Sequence, residues 1–380
     1  MKRAFEKILS IFGKDPESVT LQPKFGTKGN VLLSYGLKAC MSFKNGVDLD
    51  ARHSTAWEAV TIAKCFLERG FVVDVIGFDD KNFIPKKEYQ YFIDVLGNMD
   101  RISPYLNDDC IKIFHPCFAH WLFHNNAEYK SLFALQQRRG FALRPRRILG
   151  ANLSAEKADY ITVRGDSDYC ESTYRYANKP ILHLTHSSNY TYLWPDSKNF
   201  AQCRNRFLWL GGKGLVHKGL DLILEAFAEL TEMELLICGT VDAEKDFIKA
   251  YHNELNVAQN IKKLGWVDVG SQAFYDVMSN CIALIHPSAS ELTSGSVITC
   301  MHGGLIPVVS YQSGTSVHDF GIELNARTVD DIKDALLKVS SSPISTLEDM
   351  SRKAWEYARS IYTREKFESD YNKTLEKIIC

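Results

Sequence analysis

The chain reads as an α/β protein built from two facing doubly wound, Rossmann-like domains. Three observations predict this. Its 380 residues exceed what a single ordinary core holds. Apolar runs of strand length alternate with helical patterns in two successive stretches, and a polar segment without usable period, Thr185 to Arg204, separates them. Glycine-rich or small-residue loops follow several of the strand-like runs of the second stretch, where ligands of such sheets bind.

In chain order, Asn30 to Gly36 is the first strand, followed by a loop rich in Lys, Asn, Gly and Asp. Ser54 to Glu68 has helical periodicity, Gly70 ends it, and Phe71 to Phe78 is a second strand, which makes a β-α-β unit of right-handed crossover length. Its first loop lacks the G-x-G-x-x-G fingerprint, which leaves a nicotinamide or flavin site unsupported. Tyr91 to Leu96, Cys110 to Phe114, Ala158 to Arg164 and Pro180 to Leu184 continue the alternation, with a helical signal from about Ala127 and another over Tyr169 to Tyr176. From Arg206 the pattern restarts with RFLWLGG, a Gly-rich loop to Lys218, a helix to Leu230, the strand MELLICG, a strand ending at Gly265 and Trp266, and a helix to Ser279. Cys281 to Ile285 is apolar on both faces, as a buried parallel strand must be. A polar loop leads to a helix over Gly295 to Gly303, with Ser294 or Ser296 as its cap, and Ile306 to Val309 closes the unit. The expected domains are 1–190, 191–345, and a helical tail 346–380 that packs back across both.

Composition narrows the function. The formal net charge of -1 gives no global attraction to nucleic acid. The ten cysteines lie scattered in apolar runs such as those holding Cys65, Cys238, Cys281 and Cys300, without metal or disulfide spacing, and read as reduced core residues of a cytoplasmic protein. No apolar run is long enough to span a bilayer and no signal-peptide pattern opens the chain. The first residues, MKRAFEKILSIFG, form a short basic amphipathic pattern suited either to surface membrane contact or to an ordinary solvated helix.

Two stretches carry chemistry. Gly211, Gly212, Lys213 and Gly214, then Lys218 and Gly219, lie between a strand and a helix: glycines admit a phosphate to the backbone and lysines neutralise it. The triphosphatase loop G-x-x-x-x-G-K-[ST] is absent. In the second stretch Glu291 stands just ahead of a helix start, Thr293 to Ser296, whose free N–H groups favour an anion. A carboxylate beside an anion site needs hydroxyls or a cation to face, and a sugar nucleotide supplies both anion and hydroxyls. Thr299, eight residues on, faces the same side about two turns later.

Weaker candidates lie in the first half. His53 opens a helix toward the cleft, and His120, Trp121 and Asn125, with His115, His124 and Glu128, are candidates for sugar or acceptor contact, against plain packing. His120 and His124 have a nominal metal-ligand spacing, but without a helical signal there, no metal site is assigned. The cluster Arg138, Arg139, Arg144, Arg146 and Arg147 is either a solvated face or a patch for an anionic acceptor or membrane surface.

The stretches LGGKGLVHKGLDLILEAF, LLICG, LGWV and HPSASELTSGSVITCMHGGLIPVVS resemble the retaining glycosyltransferases of the GT-B fold, in particular family 4, the group 1 glycosyltransferases. RHSTAWEAVTIAKCFLERGFVVDVIGFDD looks like a subgroup from bacterial surface-polysaccharide pathways. The resemblance implies a nucleotide diphosphate sugar as donor substrate, no cofactor and no metal, a carbohydrate or lipid-linked carbohydrate as acceptor, and work in the cytoplasm or at the inner membrane face. It gives Lys218 the donor diphosphate, puts Lys213 where the family has an arginine, matches Glu291 to the first glutamate of the E-x7-E pattern, and lays Gly265, Trp266 and Val267 against the base. Thr299 replaces the second, ribose-binding glutamate. That departure admits a nucleotide-sugar-binding partner without turnover, or another enzyme of the fold such as a sugar-nucleotide epimerase or a phosphorylase.

Overall fold

The computed structural model describes residues 17–47, 54–166 and 168–379. The amphipathic N-terminal stretch and His53 lie outside them.

The first half forms a seven-stranded sheet from β1 (Ser18–Leu21), β2 (Gly29–Tyr35), β3 (Phe71–Gly77), β4 (Tyr91–Asp94), β5 (Ile111–Phe114), β6 (Tyr160–Arg164) and β7 (Ile181–Leu184). Their order is β1-β3-β2-β4-β5-β6-β7. Only β1 runs antiparallel, at the edge against β3; each other pair is parallel. Its alternation of Val and Leu with Ser and Thr is too short to announce a strand from sequence, and it is held by pairing with Val73 to Ile76.

The second half forms a six-stranded, wholly parallel sheet from β8 (Arg206–Gly211), β9 (Glu234–Gly239), β10 (Ile261–Gly265), β11 (Ala283–His286), β12 (Ile306–Ser310) and β13 (Ile322–Leu324), in the order β10-β9-β8-β11-β12-β13. The central strands are buried on both faces: Phe207, Leu208, Trp209, Leu284, Ile285, Val308 and Val309 have no measurable exposure. Because all six strands point the same way, their carboxyl ends and following loops gather along one edge.

Two local expectations need correction. The Lys- and Asn-rich stretch after β2 holds a helix, Leu37–Lys44, before the undescribed residues 48–53. The helix expected near Ala127 begins at Trp121 and runs to Arg139, ended by Gly140 at φ 72. Its first turn is held by tertiary bonds, Trp121 Nε1 to the Asn152 carbonyl and the Asn125 amide to Leu149, which no local pattern reports. The helical tail is two helices. Ile344–Ile361 places Ala354 and Ala358 in the second domain's core, and Arg364–Ile378 places Phe367, Tyr371 and Leu375 against the first domain. The connection between the sheets is packed as well. Trp194 meets Trp355 edge-on at 5.7 Å, and buried Lys198 donates to the Gly304 carbonyl at 2.8 Å. No helix among the described residues is long and apolar enough to cross a membrane.

Candidate functional site

A cavity of about 770 Å³ lies along the carboxyl edge of the second sheet, lined by the ends of β8, β9, β10 and β11 and the helix Gly295–His302. The glycines are a steric requirement there. A Cβ on Gly239, whose φ is +151, would stand 1.9 Å from the Gly211 carbonyl oxygen, and one on Gly211 would strike the Trp209 ring at 2.5 Å. Bare backbone therefore forms this wall.

Lys218 and Glu291 meet inside the cavity. The Lys218 ammonium lies 2.6 Å from Glu291 Oε1, and the Ser288 hydroxyl donates to the same oxygen at 3.1 Å. Glu291 Oε2 faces the Arg147 guanidinium at 3.3 Å. Burial alone would raise the Glu291 carboxyl, but Lys218, then Arg147, His217 and His286, hold it well below the usual carboxylate range. Two cations on one carboxylate leave one positive charge in excess. That balance suits an anionic ligand.

The loop carrying Glu291 is braced by the first domain. Thr293 donates its hydroxyl to the Arg164 carbonyl at 2.7 Å, Tyr169 donates to the Ser290 hydroxyl at 2.9 Å, and the Glu291 N–H donates to Gln312 within the second domain at 2.9 Å. Behind it His217 is fully buried, with Nε2 2.7 Å from the Ser290 carbonyl and Nδ1 2.9 Å from Glu128 Oε2 of the first domain. Both ring nitrogens therefore face an oxygen, one from each domain.

The helix Gly295–His302 starts at Ser294 without a side-chain cap, because the Ser294 hydroxyl pairs instead with His286 Nε2 at 3.0 Å. Neither Ser294 nor Ser296 supplies the expected cap; both line the cavity, and the helix start there is open to an anion. Thr299 also lines it, and its hydroxyl donates to the Gly295 carbonyl at 2.7 Å, which leaves the oxygen as an acceptor.

Of the remaining sequence candidates, Gly211, Gly212, Trp266, Val267 and Gly295 line the cavity, and the Trp266 indole is 64% exposed at its rim, free to stack on a flat ligand. Lys213, Gly265 and Thr293 do not line it. Lys213 is exposed and forms no ion pair with a described residue, Gly265 turns the chain at φ +79, and Thr293 is spent on Arg164. His120, Trp121 and Asn125 are not brought to this cavity. The His120 imidazole pairs with the Tyr176 hydroxyl at 2.8 Å, and the other two close the first turn of their helix, so all three are held by contacts within the first domain. No cluster of metal-ligating side chains occurs among the described residues.

Four of the five clustered arginines are spent on ion pairs, and Arg144 is exposed without one to a described residue. Arg138 pairs with Asp221 at 2.8 Å and Glu225 at 2.9 Å, Arg139 with Glu254 at 2.8 Å, and Arg146 with Asp246 at 2.6 Å. These pairs tie the helix Trp121–Arg139 and the loop behind it to the second domain. His217 is not announced by the sequence, and Arg147 and Glu128, named there for other roles, come to the site because each acts through a partner 73 or more residues away.

Facing this edge, the first domain has its own cavity of about 540 Å³ at the carboxyl ends of β2 to β5, walled by Tyr35, Leu37, Ala56, Phe78, Val95 and Phe118.

Residues 204–342 match the family model for glycosyl transferases group 1. No curated protein sequence matches the chain significantly. Among solved structures, the chain is similar to sucrose-phosphate synthase (tll1590) from Thermosynechococcus elongatus, at 12% identity and a TM-score of 0.62, covering 93% of this chain and 99% of that one. It is also similar to Anabaena Alr3699/HepE in complex with UDP-glucose, at 12% identity and a TM-score of 0.54 over 92% and 99% of the two chains. WaaG, a glycosyltransferase involved in lipopolysaccharide biosynthesis, matches at 13% identity and a TM-score of 0.52 over 90% and 98%. The chain has the GT-B fold of these proteins, with two facing doubly wound domains.

Proposed function

We propose that the protein is a glycosyltransferase that moves a sugar from a nucleotide diphosphate sugar to an acceptor hydroxyl, with retention of anomeric configuration. One observation carries the reading: Lys218 and Glu291 meet in a cavity walled by bare glycine backbone, beside an uncapped helix start. The diphosphate would take Lys218 and the helix N–H groups, the sugar hydroxyls would take Glu291, and the base would lie near Trp266 and Val267. The family match over residues 204–342 and the likeness to a structure that holds UDP-glucose support this assignment.

The chemical demand is stabilisation of a departing diphosphate. A unit charge pair at 4 Å contributes roughly 4 kcal/mol at the dielectric of a protein surface before desolvation, so Lys218 and the helix start are sufficient in kind without a metal. Retention by reaction on one sugar face needs no dedicated base, since the leaving phosphate can take the acceptor proton. The apolar cavity of the first domain suits an acceptor with an apolar part, such as a lipid-linked carbohydrate at the cytoplasmic membrane face in surface-polysaccharide assembly.

A second reading, a nucleotide-sugar-binding partner without turnover, is favoured by Thr299, whose single hydroxyl is half spent on Gly295. A thermal-shift screen against UDP, GDP, ADP and their sugars, followed by turnover in chelator, separates the two. The transferase reading expects one nucleotide class to raise the melting temperature, transfer to persist in chelator, and Lys218→Ala to lower kcat by about 100-fold or more. Binding without transfer or donor hydrolysis would establish the partner instead, and near-normal transfer by Lys218→Ala would remove Lys218 from the leaving-group role.

A further inference from the structure

Glu291 is held by two cations, one from each domain. Lys218, at 2.6 Å from Oε1, lines the cavity; Arg147, at 3.3 Å from Oε2, reaches the carboxylate from the first domain and is not part of the cavity wall. An incoming diphosphate competes with Glu291 for Lys218. If Lys218 were the sole partner, its transfer would strand a buried carboxylate beside a second anion, and an uncompensated buried charge is strongly unfavourable.

Arg147 is built to stay where it is. Its backbone N–H donates to Glu128 Oε1 at 3.2 Å, and the same carboxyl group holds His217 through its other oxygen. Its stem lies over Gly214, where an added Cβ would stand 2.4 Å from Arg147 Cδ and where φ is +89. Its guanidinium lies 5.7 Å from the centre of the Phe118 ring. Lys213, the other cation of the Gly-rich loop, is exposed and forms no ion pair with a described residue.

We propose that Arg147 is the standing counter-ion of Glu291 in the donor-bound state, a positioning residue lent across the domain boundary that releases Lys218 to the diphosphate. This role rests on the nucleotide-sugar reading above. It makes the donor site a joint product of both domains, since the pocket's carboxylate is balanced by a side chain the second domain does not own.

The test is a double-mutant cycle read as UDP affinity by calorimetry, with GDP and ADP in parallel, on full-length protein whose folding is checked by thermal melting. Arg147→Gln is expected to weaken nucleoside diphosphate binding by about 10-fold or more, and Arg147→Lys to recover most of the loss because a cation is restored. In a Glu291→Gln background, where no charge is left to balance, Arg147→Gln should change affinity by less than about 2-fold. Equal losses in both backgrounds would show that Arg147 acts independently of Glu291 and overturn the proposal, as would unchanged affinity with Glu291 intact. Should Arg147→Gln fail to fold, Arg147→Lys is read in its place: a loss of about 10-fold or more in Arg147→Lys that is equally large in the Glu291→Gln background would overturn it. Wild-type protein that binds none of the three nucleotides overturns the donor reading itself and this role with it.

Discussion

His217 of the second domain and Glu128 of the first stand 2.9 Å apart, with the imidazole fully buried and its other nitrogen 2.7 Å from the Ser290 carbonyl. One carboxyl group thereby orients the backbone of the Arg146–Arg147 loop and the ring beneath the Glu291 loop. The domain boundary and the loop that carries Glu291 share this contact.

Removing that carboxylate should be costly. Glu128→Ala leaves a buried ring without its partner and two backbone N–H groups without an acceptor, and is expected to lower unfolding free energy by about 3–5 kcal/mol. Glu128→Gln should lose less, because an amide oxygen still accepts from the loop. Urea unfolding measures both; a loss below about 1 kcal/mol for the alanine variant would show the pair to be dispensable.

In the proposed donor complex Thr299 would offer the ribose an acceptor only, since its proton is given to Gly295. Thr299→Val should therefore weaken nucleotide binding by about 3- to 10-fold, the worth of one hydrogen bond. The variant should also bind the nucleotide and its 2′-deoxy or 3′-deoxy analogue with nearly equal affinity. Undiminished discrimination against both deoxy analogues would place the ribose elsewhere.

Acid should destabilise the fold through its buried imidazoles. Burial pushes His115, His124 and His286 down to about 3 and His302 down to about 4, from an ordinary 6.5. A histidine whose folded value is depressed contributes stability that is present above its unfolded value and is lost as pH falls toward its folded value. Unfolding free energy should thus decline from about pH 6.5 downward. His302→Gln keeps a donor for the Tyr362 carbonyl and removes one titrating group, which should flatten the slope between about pH 4 and 6.5 by up to about 1.4 kcal/mol per pH unit. An unchanged slope would show that His302 takes up no proton on unfolding.

Much of the fold was legible because the signals are local. Both faces of Cys281 to Ile285 are apolar, and the structure makes Ala283–His286 a central strand buried on both sides. Helical periodicity over Ser54 to Glu68 survives unchanged. Edge strands β1 and β13, with four and three residues, are too short for a period to show, and pairing with a neighbour defines them.

The cavity was legible to the same extent. Gly211, Gly212, Lys218, Glu291 and Ser294 to Thr299 follow strand ends whose common direction the β-α-β alternation dictates, so chain order alone gathers most of them at one edge. Side-chain direction is a different matter. Thr293 lies two residues from Glu291 yet bonds Arg164, and Lys213 lies five residues from Lys218 yet faces solvent.

The sequence by itself therefore determined the two-sheet architecture and the edge that carries Lys218 and Glu291, because strand and helix periods depend on neighbours in the chain. Only the tertiary structure decided that Arg147 stands on Glu291, that Glu128 holds His217, and that the arginine cluster binds the two domains together. The physical reason is that an ion pair depends on distance in space, and these charges meet across 83 to 144 residues of chain.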